Sequence, residues 1–151
     1  QTVMIRKATL NDLDALTVLF DQYLVFYKKP TDIKTHKNYL KERLENNEAI
    51  VFMAFDEQNK AIGFALNYIT FSSLLLSKIV ILNDIFVDSK IRKKGTAREL
   101  IEETKKLALE IGSPIIRLRT AKNNFVAQNL YHKMGFIRDE HLYGYDLTLT
   151  K

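Results

Sequence analysis

Residues 82–101 read LNDIFVDSKIRKKGTARELI, a hydrophobic strand that runs through a basic loop with one glycine into an amphipathic helix. The first backbone N–H groups of a helix have no partner within it, and the helix dipole places partial positive charge there. A loop that brings such a helix start beside Arg and Lys side chains favours phosphate binding. Gly95 allows close approach of the backbone, and Ala97 leaves room at the first turn. The stretch predicts a phosphate-binding loop between a strand and a helix.

A second motif lies further along the chain, where residues 123–136 read NNFVAQNLYHKMGF. On a helix, Asn124, Ala127 and Tyr131 occupy positions i, i+3 and i+7 and share one face. Gly135 stands just past the predicted helix end, where a left-handed conformation costs little for glycine. The pattern predicts a second helix with an amide, a small residue and a phenol on one face.

Together the two motifs resemble the cofactor site of the GNAT superfamily of N-acetyltransferases. Residues 92–97 (RKKGTA) are similar to that family's acyl-CoA pyrophosphate loop, and residues 124–136 are similar to the other half of its site. The resemblance implies acetyl-CoA as the cofactor. The cofactor-binding residues that it implies are Ile85, Phe86, Val87, Arg92, Lys93, Lys94, Gly95, Thr96, Ala97, Arg98, Asn124, Ala127 and Tyr131.

A narrower resemblance points to the histone/polyamine acetyltransferase-like branch and to spermidine/spermine acetyltransferases. It rests on residues 20–27 (FDQYLVFY), 61–65 (AIGFA), 81–87 (ILNDIFV) and 138–140 (RDE). Members of this branch are often dimers and use an amine as the acyl acceptor. The resemblance therefore implies a small-molecule amine substrate and a homodimer.

The implied reaction is attack of a primary amine on the acetyl thioester. An alkyl ammonium has a pKa near ~10.4, so a proton must leave before the nitrogen can attack. The chain has no cysteine, which excludes transfer through a cysteine thiol and favours direct attack in a ternary complex. The resemblance implies that Tyr131 is the general acid and that the N–H of Ile85 polarises the carbonyl. The alternatives are that Tyr131 fills the core and that Asn124 only caps its helix.

The general base is an open question. Spermidine/spermine relatives carry Glu-Asp where this chain has Asn83-Asp84, and Asn83 cannot accept a proton. Asp84 remains as a carboxylate on the opposite face of the strand. It could bind the cationic substrate, act through water or pair with a structural arginine. We expect Asp84 at the site, as a catalytic and substrate-binding residue.

Aromatic side chains near the start of the chain are candidates for the acceptor pocket. Tyr23 and Tyr27 belong to a predicted helix of the kind that commonly covers that end of the cleft. The alternative is an ordinary core stripe, which also includes Phe26 at the i+3 position.

Composition limits the class of protein. The chain has 151 residues, 46% of them hydrophobic, which fits a single domain over residues 1–151. The net charge is +5, but acidic residues are interspersed with the basic ones, so we expect no nucleic-acid partner. There is no run of about eighteen apolar residues and no signal-peptide pattern, so we expect no membrane partner and a cytoplasmic location. The three histidines have no metal-ligand spacing, so no metal is expected.

The periodicity of apolar residues predicts the order β-α-α-β-β-β-α-β-α-β-β, with a strand over 114–120 and a final hairpin over 136–149. This order indicates an α/β (α+β) domain with a mixed, twisted sheet flanked by helices, and it matches the GNAT fold. We therefore expect an acetyl-CoA-dependent N-acetyltransferase that acts on a polyamine-like or amino-acid-like amine. Protein lysine acetylation and a noncatalytic acyl-CoA-binding module are the alternatives.

Overall fold

The computed structural model describes residues 3–91 and 95–150. The chain groups into two units, Gln1–Arg119 and Thr120–Lys151, and each is described by itself. The single domain expected over residues 1–151 stays a prediction.

Strands and helices follow one another in the first unit as predicted. The elements are β1 (Met4–Lys7), a 3-10 turn (Leu10–Asp12), α1 (Leu13–Phe26), α2 (Ile33–Glu45), β2 (Ile50–Phe55), β3 (Ala61–Ser72), β4 (Ser77–Val87), α3 (Thr96–Ile111) and β5 (Ile116–Arg117). The main difference is β5, which has two residues where a strand over 114–120 was expected.

The five strands form one sheet in the order β1-β2-β3-β4-β5. The pairs from β1 to β4 are antiparallel, whereas β5 runs parallel to β4. The parallel pair is joined through α3, as a crossover connection requires. The predicted α/β fold with a mixed sheet is confirmed.

Helices cover both faces of this sheet. Successive residues of a strand point to opposite faces, so neighbouring residues of β3 show which helix covers which face. Leu66 of β3 is fully buried in a core that it shares with residues of α1 and α2. The next residue, Asn67, accepts a hydrogen bond of 3.1 Å from the hydroxyl of Thr104 in α3. Consequently α1 and α2 lie on one face of the sheet and α3 on the other.

A buried carboxylate ties the end of α1 to the start of α2. Asp21 accepts hydrogen bonds from the Thr31 hydroxyl at 2.6 Å and the Asp32 backbone N–H at 2.9 Å, and His36 Nδ1 lies 2.6 Å from it. Burial alone would raise the pKa of Asp21, but these hydrogen bonds outweigh it and lower that pKa. The cluster fixes the connection between the two helices that cover one face.

The second unit contains α4 (Phe125–Lys133). Past its end, Gly135 adopts φ +95°, and the N–H of Phe136 bonds the carbonyl of Tyr131 at 2.9 Å, which closes the helix as predicted. The hairpin expected over 136–149 was wrong, because no strand is found among the described residues after α4. A strand exists only where a second strand pairs with it, and none of the described residues of this unit pairs with another in that way.

Candidate active site

One side of β4 is open along half of its length. β5 pairs only with Val80 and Ile81, and in the described part of the chain residues 82–87 pair only with β3. The N–H of Asp88 bonds Ile62 on the β3 side at 2.8 Å. Because backbone groups alternate in direction along a strand, Ile85 and Val87 direct their N–H and C=O groups away from β3. The expected cofactor contacts thus lie on the open side.

A β-bulge interrupts β4 beside this opening. Leu66 pairs with Asp84 and Asn67 pairs with Leu82, so Asn83 is an extra residue on β4. Its side-chain amide donates a hydrogen bond of 2.9 Å to Asp84 Oδ2. The bulge therefore positions Asn83 to orient the carboxylate of Asp84. The amide of Asn83 itself cannot serve as a base.

The carboxylate of Asp84 shares a strand face with Phe86, because the two residues are two positions apart. The ring of Phe86 lies 6.1 Å from that of Tyr23, which lies 4.9 Å from that of Tyr27. Tyr23 is half-buried against the core, and Tyr27 is 43% exposed. The structure brings these predicted substrate-binding residues to one face, whereas Phe26 is 68% exposed and does not belong to a core stripe.

Sequence reasoning missed two further tyrosines on this face. The hydroxyls of Tyr39 in α2 and Tyr68 in β3 form a hydrogen bond with each other. Burial raises the pKa of Tyr68 well above its usual value, and the bond from Tyr39 and the negative charge of Asp84 raise it further. Tyr68 follows Leu66 by two residues and so shares its face of β3, but the pairing of Leu66 with Asp84 that brings Tyr68 to this site appears only in the register of the sheet.

The predicted phosphate loop leads into α3. Gly95 occupies the position before the helix with φ +87°, a left-handed conformation that side chains other than glycine and asparagine seldom adopt. Its carbonyl accepts the bond from the Glu99 N–H at 3.0 Å. Thr96 is buried, Ala97 half-buried and Arg98 exposed. The remaining predicted residues of the loop, Arg92, Lys93 and Lys94, lie outside the described residues.

The second motif belongs to the second unit. Asn124 caps α4, since its Oδ1 accepts a hydrogen bond of 3.2 Å from the N–H of Ala127. Tyr131 is 8% exposed, and its ring lies 5.6 Å from that of Phe136. Both features that the sequence offered as alternatives to a cofactor role are therefore observed: Asn124 caps its helix, and Tyr131 is buried. The roles of Asn124, Ala127 and Tyr131 toward a cofactor stay predictions.

Comparison with known proteins identifies the family. A family model described as the acetyltransferase (GNAT) family matches residues 14–136. The chain belongs to the GNAT family of acetyltransferases. Like other GNAT members it is an N-acetyltransferase, and enzymes of this family use acetyl-CoA.

GNAT relatives are similar over most of the chain. An uncharacterized N-acetyltransferase of Bacillus subtilis, YhfO, is 37% identical and covers 96% of this chain and 97% of its own length. The crystal structure of a probable acetyltransferase has a TM-score of 0.92 and 34% identity and covers 98% of this chain and 99% of its own. The D-amino-acid N-acetyltransferase HPA3 of Saccharomyces cerevisiae is 40% identical over 60% of this chain and 57% of its own length.

Among residues 3–91 and 95–150, no group of three histidine, aspartate or glutamate side chains could hold a metal ion. No helix in the same residues is long and apolar enough to cross a membrane.

Proposed function

We propose that this GNAT enzyme transfers the acetyl group of acetyl-CoA to a small primary amine by direct attack in a ternary complex. The observation that carries the proposal is the carboxylate of Asp84, which Asn83 holds beside tyrosine side chains on one face of β4. The backbone of the same strand is open toward its edge. A cationic amine and an acyl carrier could therefore meet across β4.

The residues present fit acetyl-CoA, which supplies an activated acetyl thioester when bound. The open N–H and C=O groups of Ile85 and Val87 suit the amide groups of the cofactor, with Phe86 between them. A helix start with Gly95, Thr96, Ala97 and Arg98 suits its phosphates, as do the basic side chains of residues 92–94. Asn124, Ala127 and Tyr131 of the second unit are proposed, from the family resemblance, to contact the cofactor as well.

Asp84 is proposed to bind the ammonium group of the acceptor and to take up its proton, directly or through water. A carboxylate attracts a cation, and aromatic ring faces add to this attraction. Tyr23 and Tyr27 are proposed to line the path of the amine on the α1 side. The N–H of Ile85 would stabilise the charge that develops on the carbonyl oxygen, a contribution that reaches about 3–4 kcal/mol for a well-placed donor.

Tyr131 is proposed to donate a proton to the departing thiolate. A phenol keeps its proton up to a pH near 10, so it can serve as an acid at neutral pH. The burial of Tyr131 agrees with this role, because a donor shielded from water interacts more strongly with developing charge.

Among acceptors, amino-acid-like and polyamine-like amines are favoured. The yeast relative, a D-amino-acid N-acetyltransferase, supports an amino acid as acceptor, and the resemblance to polyamine enzymes supports a diamine or triamine. The enzyme is further proposed to be a homodimer, and the absence of cysteine suits the cytoplasm.

Thiol release from acetyl-CoA in the presence of different amines tests the proposal. The panel includes D- and L-amino acids, spermidine, diamines, an aminoglycoside and a lysine-containing peptide. Saturable release with one small amine supports the proposal, and release with the peptide alone would make the enzyme a protein lysine acetyltransferase. Tight acetyl-CoA binding by calorimetry without release from any amine would support the noncatalytic alternative.

A variant then tests the role of Asp84. Asp84→Asn is expected to lower kcat/KM for the amine at least 100-fold without changing the affinity for acetyl-CoA. Asp14→Asn removes the same charge from a side chain that is 88% exposed on α1, and it is expected to change neither value. An active Asp84→Asn variant would overturn the assignment.

A further inference from the structure

Three side chains, Tyr68, Tyr39 and Arg43, form a polar row on the face of the sheet that α1 and α2 cover. Tyr68 lies two positions from Leu66, which pairs with Asp84, and therefore shares its face of β3. The hydroxyl of Tyr68 is hydrogen-bonded to that of Tyr39 in α2. The guanidinium of Arg43, one turn further along α2, lies 4.8 Å from the centroid of the Tyr39 ring. The polar row thus leads from an anion, Asp84, to a cation, Arg43.

The hydrogen bond between the two hydroxyls has a favoured direction. A phenol has one hydrogen to donate, so the tyrosine that accepts keeps its own hydrogen for a third group. The cation over the ring of Tyr39 polarises that phenol and makes its O–H the better donor. Burial, the bond from Tyr39 and the charge of Asp84 raise the pKa of Tyr68, so Asp84 is close enough to attract the Tyr68 hydrogen. Tyr39 is therefore the donor, and the hydrogen of Tyr68 points toward the acceptor site.

There is space for a ligand beside the polar row. Tyr68 and Arg43 line a cavity of about 510 Å³, together with residues 47–50 and Ile69. Small-molecule sites have volumes of about 300–1,000 Å³. Among the described residues, the Tyr68 hydroxyl has Tyr39 as its only hydrogen-bond partner. The hydrogen of Tyr68 can therefore be donated to a bound molecule.

The charges along the polar row match those of an amino acid, which carries an ammonium and a carboxylate on the same carbon. The ammonium suits Asp84, and the carboxylate suits the Tyr68 hydroxyl, because hydrogen bonds to charged acceptors are the stronger ones. Arg43 adds positive charge, fixed by Glu48 at 2.8 Å and Glu42 at 3.1 Å. Both carboxylates are more exposed than Arg43, so water screens them more. A diamine offers no acceptor for the Tyr68 hydrogen.

We infer that Tyr68 is a specificity-determining residue: its hydroxyl donates a hydrogen bond to the carboxylate of an amino-acid acceptor whose ammonium group lies at Asp84. Tyr39 and Arg43 are positioning residues, because they orient and polarise this donor. The inference rests on the proposed acceptor site at Asp84 and selects amino acids over diamines and triamines.

Pairs of acceptors that differ only in the carboxylate test the inference on the whole protein. Thiol release from acetyl-CoA is compared for D- and L-leucine against isopentylamine, and for D- and L-phenylalanine against phenethylamine. The unchanged enzyme is expected to have the higher kcat/KM for the amino acid of at least one pair. In Tyr68→Phe the ratio of kcat/KM for that amino acid to that for its amine should fall about 10-fold or more, since a hydrogen bond to a charged group is lost.

The amine of each pair distinguishes a specificity role from a structural one. Its kcat/KM should be the same in Tyr68→Phe as in the unchanged enzyme. Tyr39→Phe should lower the ratio less, because Tyr68 then loses only the group that orients it, and this variant serves if Tyr68→Phe fails to fold. Tyr145→Phe, at a residue that is 90% exposed, is the control and should retain the ratio. Equal losses for both acceptors, an unchanged ratio, or an unchanged enzyme that prefers the amines would overturn the inference.

Calorimetry separates this inference from the proposed function. The binding of each amino acid and each amine is measured on the protein with CoA bound, where no turnover occurs. If no amine supports thiol release, acetyl transfer is refuted. An amino acid that binds more tightly than its amine, and about 10-fold more weakly to Tyr68→Phe, would still support the role of Tyr68. Equal affinity of the unchanged protein for both members of every pair would overturn that role.

Discussion

The side-chain amide of Asn83 donates a 2.9 Å hydrogen bond to the carboxylate of Asp84 on the same strand. The bond exists because a β-bulge gives β4 one more residue than β3 at this point. The amide of Asn83 therefore fixes the orientation of the Asp84 carboxylate. That carboxylate is the group proposed above to bind a cationic acceptor.

Removal of this donor should impair use of the amine. Asn83→Ala is expected to lower kcat/KM for the amine about 10-fold, since a hydrogen bond to a charged group contributes about 1.5–3 kcal/mol. The KM for acetyl-CoA should not change. Steady-state kinetics with each substrate varied in turn provides the measurement. Asn38→Ala, at an exposed position of α2, is the control, and equal losses in both variants would contradict the role of Asn83.

Variants of the two glycines that flank α3 can distinguish an effect on folding from an effect on cofactor binding. Gly95 and Gly112 have φ of +87° and +75°, and apart from chain neighbours no heavy atom of the described residues lies within 4 Å of an added Cβ at either. Alanine at either site is expected to lower the free energy of unfolding by about 1–2 kcal/mol, because the conformation is strained for a side chain. Urea unfolding measures this cost.

Only the change at Gly95 should also weaken acetyl-CoA binding, which calorimetry measures. Gly112→Ala is the matched control, since it strains the other end of the same helix. Equal affinity in the two variants would show that the start of α3 does not bind the cofactor.

Loss of the Tyr131 hydroxyl should slow the chemical step. Tyr131→Phe is expected to lower kcat by about 100-fold or more, the range for a general acid, while the affinity for acetyl-CoA stays within twofold. Steady-state kinetics provides the measurement. Tyr143→Phe removes a hydroxyl from a residue that is 91% exposed and should be fully active. A Tyr131→Phe enzyme with an unchanged kcat would exclude the acid role.

The buried carboxylate of Asp21 should make the free energy of unfolding depend on pH in the acidic range. Hydrogen bonds lower its pKa in the folded protein, so its contribution is present above the unfolded pKa of about 3.9 and is lost as the pH falls through the folded pKa. Unfolding free energies measured between pH 6 and pH 3 should therefore decline more steeply for the unchanged protein than for Asp21→Asn. Asp14→Asn, at an exposed site, should retain the slope of the unchanged protein.

The sequence was sufficient for elements that depend on local periodicity. The apolar spacing in α1 and the glycines at the ends of α3 and α4 located those helices, and the family resemblance located the loop at Gly95. The bulge at Asn83 has no mark in the sequence, because an inserted strand residue shows itself only in the register with β3. The Tyr39–Tyr68 bond likewise joins a helix to a strand that are distant in sequence.

The terminal hairpin shows where periodicity misleads. Residues 143–150 alternate as a strand does, but alternation specifies only which residues share a face of an extended chain and not that a second strand pairs with them. The strand expected over 114–120 is short for a related reason: β5 pairs with β4 only at Ile116 and Arg117, so only these two residues have the ladder bonds of a strand.

The two sides of β4 differ in how they would respond to mutation over evolutionary time. On the open side, Ile85 and Val87 present backbone groups, which exist whatever side chain is attached. On the face of β4 that carries Asp84, the surroundings are side chains: Tyr68 comes from β3, Tyr23 and Tyr39 come from helices, and Tyr27 directly follows α1. Substitutions in α1 and α2 can thus change which amine is accepted, while the backbone groups of β4 that would bind the acetyl donor stay the same.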